Sequence, residues 1–385
     1  MRRWLVRCTI VALIAAILIL PGTALARPAA PSAAKMGNMA TIGRAQITAG
    51  WYCGYAIKPN GSLWSWGLNT SGQLGLGDTK SRRLPTHLGR SVGWKTIAAS
   101  DQHCLAVKLD GSLWAWGAND EGQLGIGING KYGNRPRLRP QRVAGGGWKA
   151  VGAGSAEFSV GLKRDGSLWS WGNNDHGDLG LGTTSDVLGS HAVPTRVGTG
   201  NDWKAIGVGY DWVFALKTDG SLWAWGDNSS GQLGMGTTDD LAHPTPTRIG
   251  SDLDWTAICA DTYAIKRDGS LWSWGGASVP ARVGTGNSWK TVAAGFGDVF
   301  ALKTGGSLWA WGVNGGGQLG LGDRVARTSP TRVRGGWTKV AVGDAWTLGL
   351  KSNGTFWSWG MDHAMQLGLP VVRTRGVPTR IFSLS

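Results

Sequence analysis

Acid, sulfur and the spacing of a helix are all scarce in this sequence. Its 385 residues hold 24 Asp and Glu against 39 Lys and Arg, with 4 cysteines, 5 tyrosines and 6 phenylalanines. Cys8 precedes an apolar run. That leaves Cys53, Cys104 and Cys259, which allow one bridge at most and exclude a disulfide-stapled scaffold. The histidines (87, 103, 176, 191, 243 and 363) are scattered, with no Cys-x-x-Cys or His-x-x-x-His spacing, so no metal site is expected. No G-x-S-x-G elbow occurs. The glycine-rich "SGQLGLGD" lacks the Gly-Lys-Ser/Thr ending of a phosphate loop. No catalytic residue and no cofactor are therefore assigned, and the chain reads as non-enzymatic. Only one long hydrophobic run is present, at residues 8–20, and it is short for a membrane span. Basic "MRRWLVR" precedes it and "PGTALA" follows, the pattern of a secretory signal cleaved after Ala26. Losing Arg2, Arg3 and Arg7 would lower the formal charge from +15 to +12, and no membrane span would remain.

What the sequence has in excess is tryptophan, 24 residues, and glycine, 64 residues. "DGSLWAWG" at 110 recurs in seven versions, beginning at 60, 110, 165, 219, 268, 305 and 353. It contributes Trp64 and Trp66, Trp114 and Trp116, Trp169 and Trp171, Trp223 and Trp225, Trp272 and Trp274, Trp309 and Trp311, and Trp357 and Trp359. A second column, of the type "WKAIGVG", begins at Trp94, Trp148, Trp203, Trp255, Trp289 and Trp337, while the first repeat has only "AQITAG" there. Repetition at such a period is the mark of a stacked or radial array.

Each unit reads as four short strands. In the fourth unit "WKAIGVG" and "VFALK" are followed by "DG", a tight-hairpin dipeptide, then "SLWAWG", a Gly-rich turn and "PTRI". Seven four-stranded antiparallel units predict an all-β, seven-bladed β-propeller over residues 41–385, behind a signal at 1–26 and a flexible linker at 27–40. The residue type before each hairpin alternates. Ala56, Ala106, Gly161, Ala215, Ala264, Ala301 and Gly349 are small, and Tyr55, Leu105, Val160, Phe214, Tyr263, Phe300 and Leu348 are large. This predicts blades that interdigitate, with the Trp pairs filling the wedge between them. The first unit has no "P-x-R" strand before it and the last "PTRI" has no unit after it. Pro378 to Ile381 is therefore expected to pair with the sheet built from residues 45–67 and close the ring. The fifth unit runs from "WSWG" straight to "GASVPARV", which predicts a notch beside blade five.

The W-x-W-G stretches and the turns "NTSGQLGLGD", "NDEGQLGIG", "NDHGDLGLG", "NSSGQLGMG" and "NGGGQLGLGD" resemble the regulator of chromosome condensation repeat family over residues 41–381. The resemblance implies a seven-bladed propeller. Family members include a nuclear guanine-nucleotide exchange factor for a small GTPase and a secreted bacterial propeller that inhibits beta-lactamases. The export signal is the feature shared with the secreted type.

Charge sits in columns. Lys58, Lys108, Lys163, Lys217, Lys266, Lys303 and Lys351 precede the hairpins, and Arg142, Arg196, Arg248, Arg282, Arg332 and Arg380 lie in "P-x-R". Both columns read as solvated scaffold, not as a specific nucleic-acid surface, and Lys131, Arg135, Arg137 and Arg139 read as a mobile loop. The variable positions follow the first strand of each unit and must emerge on one face. They supply Trp51, Tyr52, Asp101, His103, Glu157, Phe158, Tyr210, Asp211, Trp212, Asp261, Phe296, Asp298, Asp344 and Trp346. Aromatics mixed with acids on loops suit a protein interface. The expectation is thus an exported, monomeric scaffold that binds a protein partner through one face. Guanine-nucleotide exchange and glycan binding are the alternatives. Sequencing of the exported protein should begin at Arg27, and an intact Met1 on a membrane-bound product would refute the export signal.

Overall fold

The eight-residue motif folds as a hairpin because its own polar groups close it. The Asp110 carboxylate accepts the Ser112 backbone N–H at 2.8 Å and its hydroxyl at 2.7 Å, and the Ser112 oxygen accepts the Trp114 indole N–H at 3.0 Å. The relay recurs in units three, four and five at Asp165, Asp219 and Asp268, and in unit seven as Asn353–Thr355–Trp357. Gly111 turns the chain at φ +84°, which a side chain would resist. Hydrogen bonding to Ser112 also holds the Asp110 carboxyl below its ordinary range.

The computed structural model describes residues 45–127, 135–184, 191–259, 261–275 and 278–383. The expected signal, linker and Lys131 lie outside them. The described residues form seven four-stranded antiparallel sheets and no helix. Strand order in space follows strand order in sequence, so the seven blades span 46–87, 94–142, 148–196, 203–249, 255–282, 289–333 and 337–383. First strands neighbour one another around the axis, and fourth strands lie outermost. Pro85, Pro140, Pro194, Pro330 and Pro378 fall in those outer strands, where a missing N–H is tolerated.

The core is divided among the seams between blades. In one cluster Leu105, Val107 and Leu113 of blade two meet Trp148, Val151 and Trp171 of blade three, and six equivalent clusters complete the circle. The second Trp of each motif is buried and the first is half-buried. The small column has a role other than the expected one. A Cβ on Gly161 would lie 2.4 Å from Trp148 of its own blade, so these positions make room for a blade's own indole. That indole then meets the preceding blade.

Buried indoles also bond across the seams. Trp116 donates to the Gln73 carbonyl at 2.7 Å, Trp171 to Gln123, Trp225 to Asp178, Trp274 to Gln232, Trp359 to Gln318 and Trp66 to Gln366. The carbonyls belong to the Gly-rich turn of the preceding blade. Blade five lacks that turn, and Trp311 packs edge-on against Tyr263 with ring centroids 6.1 Å apart. In blade one the equivalent Tyr55 hydroxyl donates to the Gln73 carbonyl at 2.7 Å.

Ring closure differs from the expectation. The terminal strand, Arg375–Ser383, pairs with the third strand of blade seven, and Cys53–Ile57 and Leu63–Gly67 pair within blade one. Each "P-x-R" strand completes its own blade, so no strand is left over. The seam is closed by side chains and by one backbone bond, from the Asp344 N–H to the Trp51 carbonyl at 3.3 Å. Trp66 donates to the Gln366 carbonyl at 2.8 Å, and Trp346 to the Trp51 carbonyl at 2.8 Å. Phe382 fills the place of the first-strand Trp that blade one lacks. Its ring lies 6.2 Å from Trp64, 6.2 Å from Trp66 and 4.5 Å from Phe356.

The lysine column is not simply solvated. Lys108 lies 4.7 Å from the centroids of both Trp94 and Trp114, and each unit repeats the sandwich. In blade one Lys58 lies over Trp64 and Phe382. Such contacts contribute about 0.5–1 kcal/mol each near a surface. The arginine column is exposed on the outer strands. Arg137 and Arg139 belong to the fourth strand of blade two and not to a loop. Cys53, Cys104 and Cys259 are free and buried.

Phe382→Ala should therefore loosen the seam between blades seven and one. The expected cost is about 2 kcal/mol, below that of a fully buried aromatic. Phe382→Trp should be tolerated, because every sister slot holds Trp. Thermal unfolding of both variants checks this, and an unchanged Phe382→Ala would refute the clasp.

Candidate protein-docking face

Antiparallel order decides which loops share a side. Connections between first and second strands, and between third and fourth strands, leave on one face, here the loop face. Hairpin turns and blade-to-blade crossovers leave on the other, the turn face.

Near the axis of the loop face the first connections converge. Trp51, in blade one, donates to the Ser155 hydroxyl of blade three at 3.3 Å. Its ring also lies edge-on to Phe296 of blade six at 5.4 Å. Blades three and six are not neighbours of blade one, so this side chain lies across the mouth of the central channel. Tyr52 packs on Trp51 at 6.2 Å and on His363 at 5.0 Å. Burial pushes the Tyr52 phenol up to about 12, and its hydrogen bond to Asp344 adds to the effect. Val313 and Met361, on the third-to-fourth-strand connections of blades six and seven, are exposed nearby.

The rest of the face is acidic. Half-buried Glu157, at φ +66°, has its carboxyl raised to about 7 by burial and then by the charges of Asp120, Glu121 and Asp101. Asp178 is raised by burial and by Asp211. Asp298 is fully buried and raised by burial, then by Asp261 and Asp344. These influences define three acidic groups, Asp101, Asp120, Glu121 and Glu157 over blades two and three, Asp178 and Asp211 over blades three and four, and Asp261, Asp298 and Asp344 over blades five to seven. Among the described residues no three His, Cys, Asp or Glu side chains form a metal-holding group.

The fourteen expected positions divide into two sets. Trp51, Tyr52, Asp101, Glu157, Tyr210, Asp261, Phe296 and Asp344 are partly open to solvent on the face. His103, Phe158, Asp211, Asp298 and Trp346 are buried and cannot form a contact surface as expected. For Phe158 and Trp346 the physical reason is a fold-back onto glycine. A Cβ on Gly154 would meet Phe158 at 2.1 Å, and one on Gly343 would meet Trp346 at 1.9 Å. Trp212 does the same over Gly209 and is half-buried against the seam of blades four and five. His103 is held by Ser100 at 2.8 Å and Ser159 at 3.0 Å, and burial pushes its imidazole down to about 3.

Reasoning from repeats missed Ser155, His363 and Asp178. Asp178 breaks the Gln column in "NDHGDLGLG", and that departure was its only signal.

The pattern of the RCC1-like domain family matches residues 24–288, and that of the regulator of chromosome condensation (RCC1) repeat matches residues 305–350. The ultraviolet-B receptor UVR8 of Arabidopsis thaliana is 31% identical over 217 residues, 54% of this chain and 46% of the receptor. The E3 ubiquitin-protein ligase HERC2 of Homo sapiens is 30% identical over 195 residues, 49% of this chain and 4% of the ligase. The chain thus spans less than half the length of these relatives. Among solved structures, human WBSCR16 aligns with a TM-score of 0.73 at 18% identity, covering 83% of this chain and 94% of that one. Saccharomyces cerevisiae Prp20p aligns at 0.70 with 22% identity, covering 90% and 89%. These likenesses bear on the fold.

Glu157→Gln tests the acidic group over blades two and three. Between its ordinary value of 4.5 and about 7, folded Glu157 keeps a proton that the unfolded chain releases. Its contribution to stability therefore falls as pH rises through that window. The variant should melt higher than the wild type at pH 8 and alike at pH 4. Equal shifts at both pH values would show that the crowding of charge is not the cause.

Proposed function

The chain belongs to the RCC1-like domain family, and from that premise we propose that it is an exported, non-enzymatic scaffold whose loop face docks a basic protein partner. The observation that carries this reading is the division of that face. Trp51, Tyr52, Phe296, Val313 and Met361 make an apolar sector over blades six, seven and one. Asp101, Asp120, Glu121 and Glu157 make an acidic sector over blades two and three. Aromatic anchors beside a charged rim give an interface its affinity and its orientation respectively. Trp51 is held from both sides of the axis, so little conformational freedom is lost when a partner covers it. The acids of this sector also favour a cationic partner and would repel nucleic acid there. Export rests on the leader pattern at residues 1–26.

A photo-crosslinking residue at position 313 or 120, on the loop face, should capture one discrete protein from the compartment where the chain resides. The same residue at position 164, on the turn face, should not. Reversing charge with Asp120→Lys and Glu121→Lys should remove the adduct formed from position 313. Equal capture from all three positions, or an adduct indifferent to the charge reversal, would sink the proposal.

A further inference from the structure

The turn face carries a cavity of about 390 Å³ between blades six and seven, reaching to Gln46 and Ile47 of blade one. That volume lies within the range of small-molecule sites, which begin at about 300 Å³. Lys290, Lys303 and Lys339 line it, Thr291, Thr304 and Ser352 add hydroxyl groups, and no Asp or Glu contributes to its wall.

Comparison among the seven units shows that this charge imbalance is built at several positions at once. The turn acid of the hairpin, present as Asp110, Asp165, Asp219 and Asp268, is Gly305 here. The residue ahead of the first-strand Trp is an acid in blades four and five. There Asp202 pairs with Lys217 at 3.2 Å, and Asp254 with Lys266 at 3.4 Å. In blades six and seven that residue is Ser288 and Gly336. The equivalence is fixed by the backbone, since Thr304 bonds to the Ser288 carbonyl as Thr218 does to Asp202. Blade seven then adds Lys339, where the other first strands carry Thr96, Ala150, Ala205, Ala257 and Thr291. Around this cavity one hairpin acid has gone, the position ahead of the Trp is neutral as it is at Gly93 and Gly147, and the first-strand lysine stands at 339 with Thr338 where blades two, three, four and six carry Lys95, Lys149, Lys204 and Lys290.

Lys339 is the telling group. It is largely buried, donates to the Ala45 carbonyl at 2.5 Å, and has no carboxylate partner among the described residues. Burial pushes its ammonium down to about 8. A buried cation without a counter-charge is costly, and an anion entering the cavity offsets that cost. Across the axis, Lys149 stands between Lys95 and Lys204, so the surroundings draw anions toward this face.

We propose that the cavity between blades six and seven is a binding site for a phosphate-type oxyanion, held by Lys290 and Lys339 with hydroxyl donors from Thr304 and Ser352. It is separate from the loop face and does not depend on the docking proposed there.

Calorimetric titration of the purified chain with pyrophosphate, with inorganic phosphate, and with a short DNA duplex at low salt tests the site. Pyrophosphate or phosphate should bind saturably at one site per chain. Lys339→Met and Lys290→Met should each weaken that binding at least tenfold. Gly305→Asp restores the acid that four sister turns carry, and a Cβ at Gly305 meets nothing within 4 Å. This variant should fold with its melting temperature retained and also bind at least tenfold more weakly. Lys95→Met, on the far side of the axis, should bind like the wild type. Absence of saturable binding would overturn the proposal. So would equal weakening by Lys95→Met, unaltered binding by Gly305→Asp, or tighter binding of duplex with the same loss at every lysine, which marks a diffuse polyanion surface.

Discussion

At six of the seven seams one hydrogen bond, from a buried indole N–H to a carbonyl of the preceding blade, organises the rest of the molecule. A buried indole N–H left unpaired costs about 1–3 kcal/mol, so the acceptor must be placed reliably. The Gly-rich turn places it. Asn69 accepts the Leu74 backbone N–H at 2.9 Å and donates to the Asp78 and Lys80 carbonyls, which locks the turn around Gln73. Asn119, Asn174, Asn228 and Asn314 receive the equivalent leucine N–H, and Asp362 does so in blade seven. Tryptophan, asparagine and glycine thus recur together because they serve one contact. Blade five, which lacks the turn, sets Tyr263 against Trp311 at that seam.

Once the seams are satisfied by the repeated positions, the remaining positions are free to differ, and they differ in opposite senses on the two faces. The loop face gathers carboxyls whose pKa values are raised by burial first and by neighbouring acids second. The turn face gathers lysines, and blade six there lacks the hairpin acid that blades two to five carry. The strands separate the two groups.

Most of the architecture could be read from residue identity, because seven copies of one local solution leave few alternatives. Blade number, strand number and the buried role of the second Trp in each motif all follow from periodicity. Closure could not be read that way. It depends on Phe382, a residue outside the repeat that takes the slot Trp94 fills in blade two. The expectation of a shared blade assumed that an unpaired edge must be covered, whereas each blade here ends on an arginine-bearing strand, with proline in all but blade five. The face was half legible for a related reason. Position in the loop marks which side of the molecule a residue joins. Whether it points outward depends on the glycine before it, and Phe158 and Trp346 turn back onto that glycine. Trp51 stays out because its channel-spanning partners, Ser155 and Phe296, come from blades three and six.

Every blade is a single uninterrupted stretch, so the covalent chain crosses six seams and leaves the seventh to noncovalent contacts, the bond from the Asp344 N–H to the Trp51 carbonyl among them. Only this junction can part without stretching a peptide linkage. The molecule is mechanically a split ring, and Phe382 lies across the split as its catch.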